Sequence, residues 1–378
     1  MPRLATLSVL AVLLLVAPAS AASHGVIVRF ESGTSAAQRS ALLGSARPAE
    51  TIPGLGARVV RSDDATALAA RLRRSGHVRY AEVDRVLRIS AVPNDPLFGQ
   101  LHGLDEIDAP AGWDLAGLGA FPASGGVKVG VVDTGVRATH QELAGKVVDC
   151  DSFVEGSGCA DDNGHGTHVA GTIAAAANNG VGIAGVAFNA SLSICKALDA
   201  DGLGYTSDVA SCIVDLADKG ARVISLSLGG VGTTTLQDAV QYADGAGALL
   251  VAAAGNEGDA TIEYPAGYDE VVSVAATDAA AQRAEFSNAN DDVEVAAPGV
   301  DVVSSSNASD SSYETLSGTS MATPHVAGIA AVLFGRDPAQ TAAQVRARLD
   351  ASVDDLGAPG RDPDFGFGRV NLAKAAAG

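Results

Sequence analysis

Charge is scarce in this chain of 378 residues: 18% are Asp, Glu, Lys or Arg, against 47% hydrophobic, with 44 glycines. A chain so poor in charge and so rich in apolar side chains buries a core, which excludes a disordered protein. Basic residues are the scarcer sign, 25 against 44 acidic ones, for a net charge of −19. That balance argues against nucleic acid as a partner, because phosphate backbones are held by clustered Lys and Arg. Long apolar runs are missing beyond the extreme N-terminus, so no later segment suits a bilayer crossing and no membrane partner is expected. The four cysteines include no CxxC pair, which makes a redox or metal role for them the weaker reading.

The N-terminus does carry a three-part layout: Arg3, an apolar stretch over residues 9–16, and the small residues Ala19-Ser20-Ala21. This is the pattern of an export signal over residues 1–21, its apolar part being too short for a stable span. A secreted protein is therefore expected. The even cysteine set agrees, since disulfides persist outside the cell. Cys150, Cys159, Cys195 and Cys212 allow three pairings, of which the local ones, Cys150–Cys159 and Cys195–Cys212, are favoured. Charge also divides the chain. Residues 1–90 hold 12 Arg against 6 acids, and the remainder 13 basic against 38 acidic residues. A basic front piece on an acidic body suggests two modules whose fields attract.

The hydrophobic pattern divides at the same place. Strand-like runs at 24–30, 57–61 and 78–83 flank helical stretches at 34–43 and 65–74, which reads as a small α+β sandwich. Residues 90–95, small and containing Pro93, read as an exposed, cleavable linker. From residue 125 onward apolar runs at 127–132, 192–198, 222–228, 249–254 and 271–276 alternate with helical stretches such as 207–219 and 236–243. Strands apolar on both faces, separated by helices, predict an α/β fold with a mostly parallel sheet covered on both sides. Functional groups of such sheets gather at the carboxyl ends of strands.

Three segments carry chemistry. Val131-Val132-Asp133-Thr134-Gly135 sets a carboxylate where a buried strand meets a glycine turn. Asn163-Gly164-His165-Gly166-Thr167-His168 opens an alanine-rich helix running to about Asn178. Gly318-Thr319-Ser320-Met321-Ala322-Thr323-Pro324-His325 opens another, with Pro324 expected in its first turn. A serine hydroxyl needs a base to take its proton, and a buried carboxylate fixes the tautomer of an imidazole and stabilises its cation. Backbone N–H groups at a helix start favour the developing oxyanion. Taken singly, the Asp is an ordinary strand end, the His a core residue or a metal ligand with His168, and the Ser a cap. In the order Asp, His, Ser they form one of the known triad arrangements. The chain has neither the GxSxG elbow and residue order of an α/β-hydrolase nor the glutamate of an HExxH zinc site.

These segments resemble the subtilisin-like serine proteases, and within them the thermitase-type branch, over roughly residues 94–375. The resemblance implies a serine endopeptidase acting as a monomer on polypeptides, with Asp133, His165 and Ser320 as triad and Asn256, in Ala254-Gly255-Asn256-Glu257-Gly258, as side-chain oxyanion donor. It assigns Ser227-Leu228-Gly229 and Gly202-Leu203-Gly204 to the two edges between which an extended peptide adds as a strand. His168 and His325 match no catalytic position and read as structural. Residues 22–90 resemble, more weakly and mainly through Tyr80-Ala81-Glu82-Val83-Asp84, the inhibitory propeptide that such enzymes remove themselves, leaving residues 91–378 as the peptidase domain. An inactive binding scaffold would have lost a triad member or Asn256, and all four residues are present.

The family's structural calcium ion implies ligands at Asp95, Glu142 and Asn179 with backbone carbonyls around Val181 and Ile183. Glu142 stands where Asp is commoner; Glu still binds Ca²⁺, often through both oxygens. A second calcium loop is less well matched, because residues 152–164 differ and carry the favoured Cys150–Cys159 bridge. Glu257 and Glu263 align with the pocket for the substrate residue preceding the cleaved bond, and two carboxylates there would favour Lys or Arg.

Overall fold

The computed structural model describes residues 25–84 and 92–378. The expected export signal and the first two residues of the expected linker lie outside the described residues. The chain divides into two compact units on either side of residue 90.

In the first unit β1 (Val26–Phe30), β2 (Arg47–Ile52), β3 (Ala57–Arg61) and β4 (Val78–Val83) form an antiparallel sheet in the order β2-β3-β1-β4. Helix α1 (Ala36–Leu43) starts at a capping box between Ser35 and Gln38, and α2 (Ala65–Arg73) starts where Asp64 accepts from the Ala67 N–H. Val26, Val28, Val60, Leu68 and Leu72 pack into one apolar cluster. The hydrophobic pattern does not predict β2. Its residues are almost all exposed and include Pro48, which a sheet tolerates at an edge.

The second unit is built on β5 (Lys128–Asp133), β6 (Val147–Ser152), β7 (Ser191–Lys196), β8 (Val223–Leu226), β9 (Leu249–Ala253), β10 (Val271–Thr277) and β11 (Val295–Pro298). A separate hairpin pairs β12 (Val302–Ser305) with β13 (Tyr313–Leu316). The short β14 (Val353–Asp354) and β15 (Arg369–Val370) complete a sheet ordered β14-β15-β11-β10-β9-β8-β5-β7-β6. All its neighbours run parallel except β14 with β15.

The alternation of side chains in β5 explains the two layers. Val129 and Val131 join the cluster containing Ile173 and Phe334, whereas Val132 joins that of Ile213 and Val240. The first face therefore carries α5 (His165–Ala174) and α8 (Thr319–Arg336), and the second α6 (Thr206–Asp218) and α7 (Thr234–Gly245). From β5 the chain adds β6 and β7 on one side and β8 to β11 on the other. The strand order reverses at β5, and the crevice beyond its carboxyl end is where such sheets bind ligands. Asp133 is the last residue of β5.

Both favoured disulfides are present: Cys150–Cys159, nine residues apart, and Cys195–Cys212, seventeen apart. The second ties β7 to α6 and is fully buried. Converting Cys195 and Cys212 to Ser should cost about 2–5 kcal/mol, and more than the same change at Cys150 and Cys159. Calorimetry of both pairs in a Ser320→Ala background, which prevents self-digestion, checks the ranking; a larger loss for the outer pair would contradict it.

Candidate active site

Asp133 is completely buried, which no isolated carboxylate tolerates. Its Oδ1 accepts the Thr134 N–H at 2.7 Å and lies 2.8 Å from His165 Nδ1. Because a carboxylate oxygen can only accept, the proton of the neutral imidazole sits on Nδ1 and Nε2 is left with its lone pair. His165 begins α5 after Gly164, whose φ of 119° suits glycine. Gly135 makes the matching turn, since a Cβ there would stand 2.5 Å from the Cys159 carbonyl oxygen. Burial alone pulls the His165 pKa down. The Asp133 charge and hydrogen bond, aided by Asp161 and Glu314, outweigh it and hold the pKa above its ordinary value.

Ser320 is the second residue of α8, so its backbone N–H has no partner within the helix. Its hydroxyl donates to the Ser227 carbonyl at 3.1 Å, while the Ser227 hydroxyl donates to the Ser320 carbonyl at 2.9 Å. Pro324 explains the second bond. It lies in the second turn of α8 rather than the first, as the sequence reading had it, and its missing N–H leaves the carbonyl of Ser320 without the usual helical donor. The Ser227 hydroxyl supplies that donor. No hydrogen bond joins Ser320 to His165 among the described residues. The hydroxyl must leave the Ser227 carbonyl before the base can take its proton, and such catalytic hydrogen bonds often tighten only in the complex with substrate.

Asn256 follows β9 at the exposed mouth of the crevice. Its Oδ1 accepts from both the backbone N–H and the hydroxyl of Thr319, each at 2.9 Å. That pairing fixes the orientation of the amide and leaves its NH₂ without a partner among the described residues. Thr319, itself fully buried, was quoted in the serine segment but given no task by the sequence reading. Asp161 also escaped it, although a carboxylate four residues before the histidine at a helix start was the available signal.

A cleft of about 580 Å³ opens beside His165, with Gly202, Leu203 and Gly204 on one wall and Ser227, Leu228 and Gly229 on another. Glu263 approaches Gly229, with its Oε2 3.0 Å from where a Cβ of that glycine would be, and Glu257 and Glu263 both crowd Gly255. Burial and then the Glu257 charge raise the pKa of Glu263. Glu257 accepts from Asn288 Nδ2 at 2.7 Å, and neither carboxylate has a Lys or Arg partner among the described residues.

Asp95, Glu142 and Asn179 converge in a second oxygen-rich site. The backbone N–H of Asn179 donates to Asp95 Oδ1 at 3.0 Å and its side chain to Glu142 Oε2 at 3.0 Å. Tyr313 donates its hydroxyl to Glu142 Oε1 at 2.6 Å. Burial raises the pKa of both carboxylates, and Asp95 raises that of Glu142 further. The Gly182 carbonyl accepts from the Leu97 N–H, but those of Val181 and Ile183 accept nothing among the described residues. His168 and His325 are spent on carbonyls of Val302 and Met321, and burial lowers each to a pKa of about 4. Of the two Asn-x-Ser patterns that fit glycosylation, Asn189-Ala190-Ser191 and Asn307-Ala308-Ser309, the first has its asparagine buried just ahead of β7.

Residues 124–368 match the subtilase family of peptidases, and residues 18–84 match the N-terminal prodomain of fervidolysin. The chain is 44% identical over 286 residues to thermitase from Thermoactinomyces vulgaris, a stretch covering 75% of this chain and 98% of the relative. It is 40% identical over 320 residues to a thermophilic serine proteinase from Bacillus sp. strain AK1, covering 84% and 77% respectively. A solved protease from Pseudoalteromonas arctica superposes with a TM-score of 0.68 at 33% identity, over 75% of this chain and 98% of that one. The chain thus belongs to the subtilase family of serine endopeptidases and carries a prodomain ahead of its peptidase domain.

Proposed function

We propose that this chain is the precursor of an exported, monomeric endopeptidase: a signal over residues 1–21, an inhibitory domain over 22–90 and a peptidase over 91–378. The observation that carries the mechanism is the 2.8 Å contact between His165 Nδ1 and buried Asp133, which leaves Nε2 basic toward the crevice holding Ser320. As Ser320 Oγ attacks the scissile carbonyl, its proton passes to His165 Nε2 and Asp133 stabilises the resulting cation. The tetrahedral oxyanion is held by the free amide of Asn256 and the unpartnered N–H of Ser320. His165 then protonates the leaving amine, an acyl group remains on Ser320, and water activated by the same base releases it. The extended substrate lies between the edges Gly202-Leu203-Gly204 and Ser227-Leu228-Gly229, held by main-chain bonds.

Self-processing follows from the same chemistry, with the basic front piece complementing the acidic peptidase. In the Ser320→Ala protein the precursor should persist uncleaved and a serine-directed phosphonate should fail to label it, whereas the unaltered chain is labelled and shortened near residue 90. Labelling of the Ser320→Ala protein would reject the mechanism.

Glu263 beside Gly229 and Glu257 beside Gly255, neither paired with a Lys or Arg among the described residues, favour a basic residue before the cleaved bond. Matched peptides with Arg, Phe and Leu at that position should rank Arg first. Glu263→Gln should cut kcat/KM for the Arg peptide several-fold and spare the others, whereas Phe ranking first would remove the assignment.

The oxygen-rich site fits a calcium ion. The side chains of Asp95, Glu142 and Asn179 and the unused carbonyls of Val181 and Ile183 would hold it, in keeping with the oxygen preference of that cation. A calcium ion held there would neutralise two buried carboxylates and tie the segment before α3 (His102–Glu106) to the loop after α5. Calcium at about a hundredfold excess over its Kd should stabilise the Ser320→Ala protein by about 2.7 kcal/mol, raising Tm by several degrees. Glu142→Ala should abolish that increment. A Tm insensitive to both calcium and chelator would count against the site.

A further inference from the structure

We propose that Asp161, a carboxylate outside the Asp133–His165–Ser320 row, is a positioning residue that holds the base in line by stapling the turn after β5 to the start of α5. Five donors converge on it. Oδ1 accepts the Thr134 hydroxyl at 2.8 Å, the Gly164 N–H at 2.8 Å and the Asn163 N–H at 3.1 Å. Oδ2 accepts the N–H and the hydroxyl of Thr167 at 2.9 and 2.5 Å. These partners are not scattered: Thr134 immediately follows Asp133, and Gly164 and Thr167 bracket His165. Thr134 extends the link, because its hydroxyl oxygen also accepts the Gly166 N–H at 2.9 Å. One carboxylate thereby sets the distance between the two residues whose contact makes the imidazole a base.

Asp161 is itself held from outside. Its N–H donates to the Val136 carbonyl at 3.3 Å and its carbonyl accepts from Asn307 Nδ2 at 3.2 Å. Two residues earlier Cys159 accepts the Val136 N–H through its carbonyl and is bridged to Cys150 at the middle of β6. The staple is thus anchored to the sheet by covalent and backbone bonds, as a positioning group needs to be if it is to transmit rigidity.

Its charge acts as well as its geometry. The ionisable groups acting on His165 are Asp133 from β5, Asp161 from the preceding loop, Glu314 from β13 and His168 on the same helix, and the three carboxylates all favour the imidazolium. Asp161→Asn keeps the shape, but it offers an amide donor where five donors already point and removes one negative charge. Two consequences follow with different readouts. Misalignment of His165 should lower kcat about 10–100-fold with little change in KM, since displacements of an ångström carry costs of that size. Loss of the charge should lower the His165 pKa, so that the acid limb of kcat/KM moves to lower pH.

The proposal rests on the proteolytic reading above, and the test separates the two. Wild type, Asp161→Asn, Thr134→Val and Thr167→Val are matured by added wild-type enzyme where they do not mature themselves, then purified from it and compared in kcat, KM and pH profile. The two Val variants keep the charge and remove one hydroxyl donor each, so they should lose kcat without shifting the acid limb. The His165 ring resonance is titrated in parallel in full-length Ser320→Ala and Ser320→Ala/Asp161→Asn chains, which needs no activity. A lower midpoint in the double variant, together with the kcat loss, supports the proposal. Wild-type kcat and an unmoved midpoint in Asp161→Asn overturn it while leaving the proteolytic reading intact, and a wild-type chain that fails to react with the phosphonate overturns that reading instead. Should Asp161→Asn not fold, the Val pair decides: unchanged kcat in both overturns the staple.

Discussion

Everything catalytic in this fold depends on keeping one ionised carboxylate in a place that water does not reach. Asp133 is fully buried, and the cost of removing such a charge from water is several kcal/mol unless hydrogen bonds and a counter-charge replace the lost hydration. Here the Thr134 N–H and the His165 ring supply the replacement at Oδ1, while Oδ2 is buried without a partner among the described residues. The imidazole is recruited as part of the solution to a solvation problem, and its tautomer and raised pKa follow from that role. A parallel sheet suits the purpose, because the end of a central strand is shielded by neighbours on both sides while still facing a crevice.

The nucleophile is governed by a different constraint, the unused hydrogen-bonding groups of a helix start. Ser320 and Thr319 open a helix whose interior is almost wholly buried, so their free N–H groups have only the crevice and Asn256 to address. Pro324, lacking an N–H, frees the carbonyl of Ser320 itself, and the Ser227 hydroxyl fills it. The reciprocal pair of hydroxyl–carbonyl bonds between Ser227 and Ser320 therefore couples a wall of the cleft to the nucleophile. Thr319, Ser227 and Asp161 share a property: each satisfies backbone groups that the geometry of the reacting residues leaves over.

Two other parts of the second unit are restrained by other means. The buried Cys195–Cys212 bridge pins α6 to the sheet, and the oxygen cluster of Asp95, Glu142 and Asn179 ties an N-terminal segment to the loop after α5. The first places constraint on the unfolded chain, while the second gathers two buried carboxylates among backbone and side-chain donors. The first joins a strand to a helix, and the second acts between loops, where the sheet itself offers no restraint.

Much of this was readable in the chain. Apolar runs such as 127–132 announce strands buried on both faces because hydrophobicity without alternation has few other uses, and glycine-flanked Asp133, His165 and Ser320 mark the turns at which such strands and helices meet. The local cysteine pairs and the division near residue 90 were equally visible, since sequence proximity and composition decide them. Edge strand β2 was not, because its exposed residues carry no apolar signal. Pro324 was placed one turn too early, since helix boundaries depend on hydrogen bonds that a propensity does not locate. The sequence by itself determined which residue types are available for chemistry and in which elements they stand. Only the tertiary structure decided that Oδ1 of Asp133 faces His165, that Ser320 rests on Ser227, and that Asp161 gathers five donors around the base, because these are contacts between residues far apart in the chain or across a turn, set by the packing of whole elements rather than by any local preference.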